Sequence, residues 1–190
     1  GDTITDEGCD YSMVINSPIN PFYTLSQIVF NITYNDGISS CGYSLDGNFN
    51  VTMLFSNWNT FYLINNTIAE GNHNVVFSCN NSYNVWNFTS TNFFVDTIVP
   101  NIEYVAPTYI SGSYLSVGTI VQNLTYSDFG SLIESWAICM GNSTSSWGCG
   151  GGQNLTEAQN SVFSTVAGLL QDIYFFNATV CDNAGNCNST

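Results

Sequence analysis

The sequence predicts an all-β chain made of two β-sandwiches in tandem, the second lacking its final strand. Three observations carry that expectation. Short segments of alternating apolar and polar residues recur along the chain, separated by clusters of Gly, Asn, Asp and Pro, as strands joined by turns require. One stretch, Ile28-Val-Phe-Asn-Ile-Thr-Tyr-Asn-Asp36, returns as Ile120-Val-Gln-Asn-Leu-Thr-Tyr-Ser-Asp128. The last stretch, Ala178-Thr-Val-Cys-Asp-Asn-Ala-Gly-Asn-Cys-Asn-Ser-Thr190, reads as a strand and a tight turn with only four residues beyond it.

The repeat sets the domain size. Ile28 and Ile120 lie 92 residues apart, and Cys79 and Cys181 lie 102 apart. Val14-Ile-Asn-Ser-Pro18 loosely matches Glu103-Tyr-Val-Ala-Pro107. Copies of about 90–100 residues have the size of an immunoglobulin-like sandwich. The expected division is an N-terminal arm over 1–10, a first sandwich over 11–98 and a second over 99–190.

In the first copy, Ile28, Phe30, Ile32 and Tyr34 share one face, which leaves Asn31 on the solvent side. Cys41 to Leu45 then runs into Asp46-Gly47-Asn48, a strong hairpin signal. Phe49, Val51 and Met53 are expected to point inward, opposite Asn50. Phe61 to Ile64 and Asn74 to Cys79 give two more strands. Trp86 to Val95 gives the last, with Trp86 and Phe88 opposite Asn87. Pro100 closes the joint Asp96-Thr-Ile-Val-Pro100. The second copy departs mainly at 141–152, a Ser/Gly-rich loop, and Leu155 to Leu170 is expected to be mostly strand.

Composition narrows the function. The 190 residues include no Lys or Arg and 14 acidic residues, a formal charge of −14. That excludes ordinary nucleic-acid binding, which needs cations to displace phosphate counterions, and electrostatic docking on anionic lipid. Hydrophobic residues at 44% supply real cores. No apolar run reaches membrane-spanning length. No signal peptide is visible, and the start at Gly1 is that expected of a processed chain.

Ten Asn-x-Ser/Thr sequons, at Asn31, Asn50, Asn65, Asn80, Asn87, Asn123, Asn142, Asn154, Asn177 and Asn188, point to N-glycosylation as what hydrates this surface. Seven cysteines without a C-x-x-C pair point to disulfides in an oxidising compartment. By repeat position, Cys41 pairs with Cys79 and Cys139 with Cys181. Alternation places Cys181 on the face of Asn177, so an outward Cys181 bonding Cys187 or Cys149 stays open. The remaining Cys9 is the candidate for a link into a neighbouring copy.

A second copy set after Thr190 brings Ile4-Thr-Asp6-Glu over Phe94-Val-Asp96-Thr. Asp2, Thr3, Ile4 and Thr5 thus read as the missing strand, displaced to the front of the chain. An open sheet edge is a template for such a donor, and a heterologous contact with no closing rotation builds a filament of identical subunits.

The segment Cys41-Gly-Tyr-Ser-Leu-Asp-Gly47, the joint Val95-Asp-Thr-Ile-Val-Pro100 and the turn Asp182-Asn-Ala-Gly-Asn186 resemble the immunoglobulin-like modules of archaeal and bacterial surface proteins. Two modules, many sequons and a spare N-terminal strand are similar to the subunits of archaeal threads. The resemblance implies an extracellular glycosylated filament of the cell surface, joined by donor-strand complementation as in chaperone–usher pili. Without Lys, the Lys–Asn isopeptide bond of some surface proteins is excluded.

Enzymatic chemistry finds little to stand on. His73, the only histidine, lies at a strand start with no nucleophile motif nearby. Glu134 and Glu157 have nothing in their setting that marks a carboxylate pair. Asp182, Asn183 and Asn186, or Asp46 and Asn48, offer hard oxygens for calcium, but turns account for them equally. No catalytic residue, metal or cofactor is therefore expected, nor is insertion into a membrane.

Overall fold

The computed structural model describes residues 12–34, 38–57, 59–116, 118–144, 148–153 and 161–190. It is all-β; no helix occurs among the described residues. The chain divides into two compact units, Gly1–Val95 and Asp96–Thr190, whereas the sequence placed the boundary after residue 98.

The first unit holds β1 (Met13–Ser17), β2 (Phe22–Tyr23), β3 (Ile28–Tyr34), β4 (Ile38–Leu45), β5 (Val51–Thr52), β6 (Leu54–Asn57), β7 (Thr60–Asn65), β8 (Gly71–Asn81) and β9 (Trp86–Val95). One sheet runs β1-β3-β7-β6, the other β2-β9-β8-β4-β5. The alternation read in β3 is correct: Ile28, Phe30, Ile32 and Tyr34 are buried and Asn31 lies on the other face. Phe30 is the hub between the sheets, stacked on Tyr43 at 4.2 Å and edge-on to Phe77 and Phe93 at 6.2 and 6.1 Å. The Asp46-Gly47 turn takes positive φ at both residues, 52° and 73°, which matches the twist of the β4–β5 hairpin.

The second unit holds β10 (Asn101–Val105), β11 (Thr119–Ser127), β12 (Ile133–Asn142), β13 (Gly148–Gln153), β14 (Ser161–Ala167), β15 (Tyr174–Asp182) and β16 (Cys187–Ser189). Its sheets run β10-β11-β14 and β13-β12-β15-β16. Among the described residues its core consists of Leu124, Tyr126, Ile133, Ile138, Ala178 and Val180. The final strand expected to be absent is reduced rather than wholly missing. After the turn at Gly185 (φ 100°), β16 pairs three of its residues with Thr179, Val180 and Cys181.

Four further expectations change. Residues 141–152, expected as a loop, contribute the end of β12 and most of β13, an edge strand. Its glycines permit a close approach: a Cβ at Gly151 would lie 2.4 Å from the Trp136 carbonyl oxygen. Trp86 and Phe88 face outward, 46% and 63% exposed, because the inward residues of β9 are Phe93 and Val95. Phe49 and Val51 are exposed too, since β5 is a two-residue edge strand and only Met53 reaches the core. Finally, Cys139 bonds Cys149 and Cys181 bonds Cys187, while Cys41–Cys79 forms as expected. The pairing of Cys139 with Cys181 fails because Cys181 points away from the core beside Asn177, opposite Ala178, Val180 and Asp182.

Candidate functional site

The two units close their sheets unequally, and the difference locates the site. In the first unit β9 pairs β8 in ten consecutive positions, from Gly71 with Val95 to Asn80 with Trp86. Its last inward residues, Phe93 and Val95, complete the core. In the second unit β16 reaches along β15 only as far as Thr179, with Thr190 adding a bond to the Ala178 carbonyl at 2.9 Å. Tyr174, Phe175, Phe176 and Asn177 have no strand partner on that side among the described residues. Their N–H and C=O groups form an edge on which another strand can be laid down by main-chain hydrogen bonds.

One interior position of the second unit is polar. The repeat places Gln122 where the first unit has Phe30. Gln122 is 1% exposed, and its Nε2 has no hydrogen-bond partner. Phe30 receives Phe93 from the final strand of its own unit. A buried amide nitrogen without an acceptor costs about 1–3 kcal/mol, so the second unit keeps a polar group where the first packs a ring.

The expected donor residues Asp2, Thr3, Ile4 and Thr5, with Cys9, lie outside the described residues, as do Asn154 and Glu157. None of the other nine sequon asparagines is fully buried. Asn50 and Asn177 are exposed. Asn65 and Asn142 accept bonds from both the N–H and the hydroxyl of the Thr two residues on. Asn31 bonds Asn16 at 3.0 Å, and Asn80 takes part with Ser40 and Asn84. Asn123 Nδ2 donates to the Ala106 carbonyl and Asn188 Nδ2 to that of Pro100. Asn87 and Asn188 sit opposite Cys79 and Val180 in register, on the inward side of their strands, which is poor presentation for a glycan.

The chemistry candidates resolve into structural roles. His73 Nδ1 meets Asp46 Oδ2 at 2.7 Å and its Nε2 meets the Ala69 carbonyl at 2.9 Å. Both bonds form fully only when the ring carries both hydrogens. Burial at Asp46 works against ionisation. The hydrogen bond from His73, the Asn74 N–H and the charge of His73 outweigh it, so the carboxyl is held below its usual value. Glu134 is exposed in β12. Asp182 organises its own turn, accepting from the N–H groups of Gly185 and Asn186 at 2.8 Å each. Sequence reasoning missed Asp96, 0% exposed, whose carboxylate accepts from the N–H groups of Ile98 and Ser131.

No protein-family model matches the chain, and no curated protein matches it. Among solved structures, the fibronectin(III)-like modules of Clostridium thermocellum CbhA align at TM-score 0.53 and 14% identity, over 94% of this chain and 90% of that one. The likeness shows the fold: tandem fibronectin-III/immunoglobulin-like sandwiches. A tetra-tandem repeat from the extending region of a large adhesion protein aligns at TM-score 0.40 and 15% identity, over 95% of this chain and 47% of that one. A 1.5-MDa bacterial ice-binding adhesin aligns at TM-score 0.42 and 14% identity, over 95% and 61%. This chain thus spans roughly half the length of those two adhesin structures.

Proposed function

We propose that this chain is a structural subunit of a glycosylated extracellular filament of the archaeal-thread kind. Its N-terminal strand is donated to the open edge of β15 in the adjacent copy, and identical subunits join head to tail. The observation that carries the proposal is the contrast between ten paired positions on β8 and three on β15. Three disulfides and ten sequons support an oxidising, extracellular setting.

Asn81 and Asp182 begin equivalent turns, each with its N–H bonded to the carbonyl four residues on, and they lie 101 residues apart, so β15 stands where the first unit has β8, the strand that β9 covers.

Removal of residues 1–8 tests the proposal. The truncated chain should remain monomeric in electron micrographs and lose stability in its second unit. A peptide of residues 1–11 added in trans should restore that stability. Filaments formed by the truncated chain would overturn the proposal. Unchanged stability and a monomeric full-length chain would favour instead a monomeric module of a cell-surface adhesin or S-layer protein.

A further inference from the structure

We propose that Asp96, Asp128 and Asp182 hold a hard divalent cation, calcium by its chemistry, inside the second unit. The three residues come from distant places: the start of the unit, the end of β11 and the end of β15. One carboxylate oxygen of each lies within 4.8 Å of the others. Calcium binds oxygen at about 2.3–2.6 Å, so oxygens that close are within reach of one shared ion.

Two features separate this cluster from an ordinary acidic patch. The first is an orphan acceptor. Asp128 Oδ1 is closed off from solvent and has no hydrogen-bond partner, although its sister Oδ2 accepts from the N–H groups of Gly130 and Leu132 at 3.1 and 2.8 Å. A buried carboxylate oxygen with empty lone pairs requires a proton or a cation.

The second is the charge balance. Asp96 and Asp182 are both 0% exposed, and the chain has no Lys or Arg to offset them. The single histidine is bonded to Asp46 in the first unit.

The surroundings are built for the ionised form. Asp96 accepts from Ile98 N–H at 3.1 Å and Ser131 N–H at 2.7 Å. Asp182 accepts from Gly185 N–H, Asn186 N–H and Asn186 Nδ2 at 2.8–2.9 Å. These donors fix the carboxylates; Asp182 Oδ1 takes two of them, while Asp182 Oδ2 and both Asp96 oxygens take one each and keep a second lone pair. The loop after β11 closes over them: a Cβ at Gly130 would sit 2.4–2.7 Å from the Asp96 carboxyl group. With oxygen-only ligands and no Cys or His in the set, zinc is disfavoured against calcium or magnesium. The first unit has Asn81 in the place of Asp182, so its corresponding position carries no charge.

Calorimetric titration of the full chain, stripped with EDTA and studied at pH 7, tests the site with calcium chloride and with magnesium chloride. Calcium should bind once, at least tenfold more tightly than magnesium, and raise the melting temperature of the second unit. Asp128→Asn should weaken calcium binding at least tenfold, whereas Glu103→Gln, at an exposed position of β10, should leave it unchanged. Absence of calcium binding by the unmodified chain overturns the proposal whatever the variants do. So does equal loss in both variants, which would mark diffuse screening of the net charge. So does undiminished binding by Asp128→Asn.

Discussion

The two units share a ground plan and differ in how far each completes it. In the first, β9 runs the length of β8, thirteen buried residues form the core, and Phe30 sits among three aromatic rings. In the second, six of the described residues form the core, Gln122 stands at the position of Phe30, and β16 is three residues long. The contrast teaches that the final strand contributes more than an edge. It delivers inward side chains, Phe93 and Val95 in the first unit, and Phe93 packs on Phe30. In the second unit the position of Phe30 is held by a buried amide.

The largest effect expected from breaking that contrast is at Phe30. Phe30→Ala should destabilise the first unit by about 3–5 kcal/mol, the usual cost of removing a buried ring, read as an early transition in urea. Disulfide removal should come next and should differ between units. Replacing Cys41 and Cys79 together opens a loop of 38 residues and should cost about 4 kcal/mol in the chain-entropy model. Replacing Cys181 and Cys187 opens a loop of 6 and should cost about 2 kcal/mol. Equal losses would mean that the bridges act chiefly on the folded sheets.

Gln122→Leu sharpens the comparison with the opposite sign. Removing a buried amide without a partner should stabilise the second unit by about 1–2 kcal/mol, measurable as a rise in its urea midpoint. The smallest effect expected is on the pH dependence of the first unit. The Asp46 carboxyl is held below its unfolded value, so its contribution is fully present above about pH 4 and is lost as pH falls through the lower folded value. Asp46→Asn should flatten the acid limb of the first unit's melting curve and leave that of the second unchanged.

Much of this architecture is legible in the residues. The alternation of Ile28, Phe30, Ile32 and Tyr34 and its recurrence at Ile120 gave one strand of each sandwich correctly. Asp46-Gly47 gave the hairpin, because only residues tolerant of positive φ can make that turn. The errors share one physical source. Matching Cys79 to Cys181 sets the copies 102 residues apart, whereas the turns at Asn81 and Asp182 set them 101 apart. A slip of one residue in a strand exchanges its two faces. That slip is why Cys181 was paired with Cys139 although it lies outside the core.

Trp86 and Phe88 failed for a related reason. Nothing in an alternating strand says which parity is inward until Phe93 and Val95 are known to be buried. The carboxylate cluster was out of reach because Asp96, Asp128 and Asp182 meet only through folding. The signal available was negative: acids recur at strand ends in a chain with no basic side chain to neutralise them.

Each of the three disulfides joins residues directly opposite one another on adjacent strands, and this has a mechanical consequence. When the chain is pulled from its two ends, a bridge that ties neighbouring strands removes the enclosed chain from the length that can be drawn out. The Cys41–Cys79 bridge withholds 38 residues, about 130 Å of contour at roughly 3.4 Å per residue. The bridges of the second unit withhold only 10 and 6. Under load the first unit can therefore release less length than the second before a bridge must break.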